Sequence, residues 1–261
     1  MRRLILFLAC AAGALAVVAS VSGGAGAAGG PGGPLDERVI RRRDIAFYAR
    51  RAERDPHGAA DLAQLAGLLL QRSRETGDPR DLRLAERTAR RSLARREGRN
   101  GKAYLTLASS LLAQHRFMEA RVAAEILVAR WPEPDGYRAL LGEIQLELGD
   151  YDAAARTFAT LGGAGAQRSL AVAPRLARWA EIRGKPEAAR RLLEDARRDA
   201  FRRRDLPREQ SGWFQLRVGD VDLRYGRWDD AERVLNDGLA AVPGDPRLLA
   251  ALARVAAGGA D

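Results

Sequence analysis

The chain has 261 residues, of which 46% are hydrophobic and 30% charged, a balance that excludes wholesale disorder. Two His (His57 and His115), one Cys (Cys10) and two Met leave almost nothing from which to build a His/Cys metal centre, a thiol nucleophile or a Ser–His–Asp triad. The formal net charge is +10, and only Lys102 and Lys185 among the 44 basic residues are lysines. Such a surplus fits nucleic acid, an anionic membrane or an acidic partner. It equally fits the Arg-, Ala- and Gly-rich usage of GC-rich coding, and the interleaving of acids with bases favours that second reading.

The first 34 residues read as an export signal. Met1-Arg2-Arg3 is a cationic start, Leu4 to Val21 is an uncharged run of 18 residues, and Ser22 to Pro34 is nearly all Gly, Ala and Pro. Ala25-Gly26-Ala27 offers cleavage after Ala27, and Val18-Ala19-Ser20 is a second option. Eighteen apolar residues also just suffice to span a bilayer, so an uncleaved anchor is the alternative. In either case the residues from about 35 onward are expected to be exported, to the periplasm or another extracytoplasmic space. Cys10 stands too close to the arginines for a lipoprotein signal, and the apolar run continues beyond it. Residues 1–27 are thus a signal or anchor and 28–35 a Gly/Pro-rich linker.

The next segments repeat. Ala103, Tyr104, Leu107-Ala108 and Leu111 are followed by a break at His115-Arg116-Phe117, then Ala120, Ala124, Leu127-Val128 and Pro132. A shift of 34 gives Leu141-Gly142, Gly149-Asp150-Tyr151, Ala154, Phe158 and Leu161. A further 35 gives Leu176-Ala177, Gly184-Lys185-Pro186, Ala189 and Leu193, and a longer step of 42 gives Val218-Gly219, Gly226-Arg227-Trp228, Ala231 and Leu235. Upstream, Leu62, Leu65-Ala66 and Leu69 pair with Ala85, Ala89 and Ser92-Leu93. Each unit holds two runs with apolar residues at helical spacing and a Gly-type turn between them. Small residues at the paired positions let two helices approach closely, and a hairpin that cannot bury its own apolar face is buried by stacking.

In these residues, above all Gly149-Asp150-Tyr151-Asp152-Ala153-Ala154 and Gly226-Arg227-Trp228-Asp229-Asp230-Ala231, the chain resembles the tetratricopeptide repeat (TPR) family. The resemblance covers residues 59–245. It implies an all-α fold, a right-handed α-solenoid of about five helix hairpins with a half-repeat at each end, residues 36–58 and 246–261. Two departures interrupt the period: about seven extra residues within Arg74–Arg83, expected in a turn, and about eight within Arg197–Ser211, expected to lengthen the fourth unit's second helix or the link after it. Insertions of this kind often carry a local contact.

No phosphate-loop, HExxH, CxxC or GxSxG pattern is present, so no enzyme, cofactor or metal is expected. Gly162-Gly163-Ala164-Gly165 reads as a linker. Carboxylate pairs such as Asp229-Asp230 and Glu194-Asp195 read as solvated helix positions. The function class is protein–protein interaction. TPR stacks hold a peptide or partner helix on the concave face, and the family's inward positions map here to Gln64, Gln71, Thr106, Ser109, Leu112, Glu143, Glu147, Arg175, Arg178 and Arg217. That lining is expected to run from neutral through acidic to basic. The Lys/Asn arrangement with which some family members hold a chaperone's C-terminal carboxylate is not matched. The rival reading is a membrane-anchored assembly factor using the basic runs Arg41-Arg42-Arg43, Arg50-Arg51, Arg90-Arg91, Arg95-Arg96 and Arg202-Arg203-Arg204. Without aromatic residues interleaved for base stacking, specific nucleic-acid recognition is not indicated.

Overall fold

The computed structural model describes residues 37–55, 57–161, 163, 169–203 and 205–258. The signal or anchor, the Gly/Pro linker and most of the 162–165 Gly run lie outside these residues.

Twelve helices and no strand occur among the described residues: α1 (Glu37–Arg54), α2 (Ala59–Thr76), α3 (Pro79–Arg95), α4 (Gly101–Ala113), α5 (Phe117–Arg130), α6 (Asp135–Glu147), α7 (Tyr151–Ala159), α8 (Ala173–Ile182), α9 (Pro186–Arg202), α10 (Arg208–Arg224), α11 (Trp228–Ala241) and α12 (Pro246–Gly258). Five hairpins, α2/α3 to α10/α11, stack one upon the next, with α1 and α12 as single helices at the ends.

One backbone device recurs at the hairpin turns. In four hairpins an amide donates to the carbonyl five residues earlier: Arg116 to Leu111, Asp150 to Gln145, Lys185 to Ala180 and Arg227 to Asp222, all at 2.9–3.0 Å. This is the Schellman closure of a helix end, which needs a left-handed residue just before the donor. Gly149, Gly184 and Gly226 supply it with φ of 75°, 69° and 71°. In the second hairpin His115 does so with φ 58°, a conformation that strains a residue bearing a Cβ.

Close approach of the paired helices explains the small residues. A Cβ at Gly142 would lie 2.8 Å from the Phe158 ring, and one at Gly219 2.7 Å from Leu235 Cδ2. Ala108, Ala120, Ala154, Ala189 and Ala231 are all fully buried. Larger side chains fill the spaces between hairpins, as where Leu127, Leu140 and Ile144 join α5 to α6. Helix starts are fixed locally: Asp78 precedes Pro79 and accepts from Arg80 N at 2.8 Å, and Asp150 accepts from Ala153 N at 3.1 Å.

The two departures from the period become helix rather than loop. The turn between α2 and α3 is only two residues, and the extra chain extends α2 to 18 residues, against 13 in α4. The turn expected from the sequence is therefore corrected: Ser73, Arg74 and Glu75 continue the helix because the first left-handed breaker is Gly77. The second departure is divided between the end of α9 and the start of α10, each 17 residues long.

Candidate functional site

The first helices of the hairpins, α2, α4, α6, α8 and α10, followed by α12, form one wall. Contacts along it join side chains spaced by about one repeat. Lys102 Nζ donates to Gln64 Oε1, Arg175 Nε donates to Glu143 Oε2 at 2.7 Å, Arg178 pairs with Glu147, and Arg254 pairs with Asp220. A repeat that presents the same helix position 31 to 38 residues later brings such side chains together.

The ladder cancels the charge gradient expected from the sequence. Glu143 and Glu147 on α6 face Arg175 and Arg178 on α8, so the acidic and basic stretches neutralise each other. Burial differs along the wall. Thr106 and Ser109 have no exposed surface, Leu112, Gln71, Glu143 and Arg175 are buried, and Gln64, Glu147, Arg178 and Arg217 are half-buried. Thr106 and Ser109 are thus part of the packed interior rather than an open surface.

The wall also closes on itself. Gln71 Nε2 donates to Glu209 Oε2 at 3.3 Å, and Gln210 Nε2 donates back to Gln71 Oε1 at 3.4 Å. Arg74 is half-buried near Glu209, Arg175 and Glu143, and desolvation pushes its guanidinium down to about 10, which leaves it charged at neutral pH. Glu209 accepts from Arg247 Nη1 at 2.7 Å, and Glu75 accepts from Arg41 Nη2 at 2.8 Å. At the rim, Glu37 of α1 accepts from the Arg208 amide at 3.1 Å. Burial lowers Lys102 and Arg217 as well. Burial would lower Arg247, but Asp245 and Glu209 outweigh it and raise the group.

Sequence reasoning missed Arg74, Glu75, Glu209, Gln210 and Arg247. All but Arg247 lie in or beside the two stretches that break the period: the elongated end of α2 meets the elongated start of α10. The insertions themselves were therefore the available signal.

The two histidines, the exposed carboxylate pairs and two of the tryptophans are accounted for locally. His57 and His115 are exposed, and His115 packs edge-on to Phe117 at 5.5 Å. Glu194, Asp195 and Asp230 each pair with the arginine three residues on. Trp228 packs against α12 at Gly258, and Trp213 packs edge-on to Phe214. No group of His, Cys, Asp or Glu suited to a metal ion occurs among the described residues, and none of their helices is long and apolar enough to cross a membrane.

Residues 181–255 match a family model described as tetratricopeptide repeat. The crystal structure of the APC/C hetero-tetramer Cut9–Hcn1 superposes with a TM-score of 0.68, covering 86% of this chain and 41% of that one at 15% identity. The fold is a TPR solenoid. A thermophilic TPR protein of Thermus thermophilus gives a TM-score of 0.57 over 77% of this chain and 98% of its own, at 18% identity. The chain spans less than half the length of the Cut9–Hcn1 chain. Identities this low carry the fold and nothing finer. No curated protein matches the sequence.

Proposed function

We propose that this TPR chain is an exported protein–protein interaction scaffold that holds a peptide or helix of a partner on its concave wall and performs no catalysis. The wall carries the reading. Its half-buried donors and acceptors, Gln64 with Lys102 and Glu147 with Arg178, are set at repeat spacing along successive first helices. An extended or helical segment meets such groups at regular intervals. Arg217, half-buried on α10, continues the row. In this reading Gln71, Thr106, Ser109, Glu143 and Arg175 support the wall from beneath, and the partner contacts are Gln64, Glu147, Arg178 and Arg217. Export rests on Arg2, Arg3 and the uncharged Leu4–Val21 run.

In-cell crosslinking, capture of the tagged chain and mass spectrometry test the proposal. The comparison is with a charge-swapped chain carrying Glu147→Arg and Arg178→Glu, which preserves the internal pair and reverses its polarity. A discrete partner captured by the wild type and lost by the swapped chain is the expected result. A partner set unchanged by the swap overturns the concave-wall assignment. Edman sequencing of the chain recovered from cells tests export, because cleavage near Ala27 requires passage through the membrane machinery.

A further inference from the structure

The basic surplus is not spread along the solenoid. Residues 37–100 hold 17 arginines against 10 acidic residues, whereas residues 101–261 hold 25 basic against 23 acidic. The structure sharpens the contrast. On α9 and α11 three of the four exposed arginines are answered in place: Arg198 pairs with Asp195, Arg202 with Asp199 and Arg233 with Asp230, while Arg191 is not paired with a described residue. The sequence run at 202–204 loses its force as a patch, since Arg202 and Arg203 both meet carboxylates.

At the N-terminal end the pattern is different. Arg42, Arg43, Arg50 and Arg54 on α1 and Arg87 and Arg91 on α3 are all exposed, and none forms an ion pair with a described residue. Arg43, Phe47, Arg50 and Arg54 follow one another at helical spacing, so they share a stripe. Phe47 is 47% exposed in the middle of it. On α3, Leu84, Arg87 and Arg91 repeat the design, with Leu84 37% exposed. The two helices are tied together where Arg95 donates to the carbonyl of Asp55 at 3.2 Å and that of Ala52 at 3.4 Å.

We infer that the outward faces of α1 and α3 form a docking surface for an anionic phospholipid bilayer. Two rows of unanswered guanidinium groups supply charge complementarity to the headgroups, and each row carries one apolar side chain able to enter the interface. Position in the chain favours a membrane over another polyanion. The uncharged Leu4–Val21 run precedes α1 by 15 residues, a span of at most about 54 Å when fully extended. If that run enters a bilayer, α1 is the first helix to follow it in the chain. The surface shares no residue with the concave wall, so either proposal can fail alone.

Because the apolar N-terminal run alone would carry the chain onto any vesicle, the test must read contact at the face itself. In a Cys10→Ser background, Ala46→Cys on the exposed side of α1 is labelled with a nitroxide, and the full chain is reconstituted into vesicles. With phosphatidylglycerol-containing vesicles the label is expected to collide more often with dissolved oxygen than with a water-soluble nickel complex. That preference is expected to vanish with pure phosphatidylcholine, and at about 1 M salt, where the screening length falls to about 3 Å. Arg43→Glu, Arg50→Glu, Arg87→Glu and Arg91→Glu together should abolish it, while an unchanged far-ultraviolet circular dichroism spectrum shows that the fold persists. A label that stays aqueous on anionic vesicles overturns the inference. So does one that stays aqueous on vesicles yet is shielded by added oligonucleotide or acidic protein, which would assign the face to a soluble polyanion.

Discussion

Gln71 of α2 and Glu209 of α10 are 138 residues apart in the chain and hydrogen-bonded at 3.3 Å. With the Gln210–Gln71 and Arg208–Glu37 hydrogen bonds, their contact joins the two ends of the solenoid across its concave side. Glu209 also accepts from Arg247 at 2.7 Å and lies near half-buried Arg74. One carboxylate therefore serves three elements: the first hairpin, the last hairpin and the terminal helix.

Replacing Glu209 with Ala is therefore expected to destabilise the chain by about 1–3 kcal/mol, because it removes the acceptor of Gln71 and one of the two carboxylates that meet Arg247, Asp245 remaining. Glu209→Gln keeps an acceptor for Gln71 but not the charge that faces Arg247 and Arg74, so it should fall between Ala and wild type. Urea unfolding followed by circular dichroism reads the difference. A midpoint unchanged in both variants would show that the closure contributes nothing to stability.

His115 offers a gain rather than a loss. It occupies the left-handed turn position that glycine holds in three other hairpins, with φ 58°. His115→Gly removes that strain but also removes the edge contact with Phe117 and adds freedom to the unfolded chain. The strain relief is the larger effect, and a net stabilisation of about 0.5 kcal/mol is expected. The matching reverse change, Gly149→His, should destabilise by a similar or larger amount. Melting temperatures of both variants decide it.

Helix contact distances set a third expectation. A Cβ at Gly219 would lie 2.7 Å from Leu235 Cδ2 and 2.8 Å from its Cγ, so Gly219→Val must push α10 from α11. A cost of about 2–3 kcal/mol is expected for this overpacking. Gly67 is the control: its Cβ would meet Lys102 Cε at 3.5 Å, ordinary contact with a flexible chain, so Gly67→Ala should be neutral or mildly stabilising through helix propensity. Equal losses at the two sites would contradict the packing account.

The hairpin register was legible because it rests on local chemistry. The small residues at 108, 142, 177 and 219 and the turn glycines are required within each unit, so the 34-residue period exposes them. The candidate wall was legible in position but not in state. Glu143 and Arg175 read as an acidic and a basic stretch because the chain separates them by 32 residues, and only side-by-side packing of α6 and α8 shows them as a pair. The closure by Gln71 and Glu209 was not legible at all, since it depends on the curvature summed over five hairpins. What could be read was that Arg74–Arg83 and Arg197–Ser211 break the period. That they break it by extending two helices until they meet emerges only in the folded chain.

Acid should weaken the fold through Glu86, which is buried on α3 and accepts from Arg116 at 2.7 and 2.8 Å, from Arg90 at 2.9 Å and from Gln114 at 2.9 Å. Burial alone would raise this carboxyl, but the hydrogen bonds from Gln114, Arg90 and Arg116 outweigh it and hold the group below its ordinary range. A carboxylate that releases its proton more readily when folded stabilises the fold above its unfolded value, about 4.3, and loses that contribution as pH falls through the lower folded value. Glu86→Gln removes the charge that Arg116 and Arg90 meet, so it should destabilise by about 1–3 kcal/mol at pH 7. The gap between variant and wild type should narrow steadily below about pH 4.3 as the wild-type carboxylate is protonated. Unfolding free energies measured in urea from pH 7 to pH 3 give the slope directly. A gap that stays constant across that range would mean the Glu86 network holds the α3–α5 contact by shape alone.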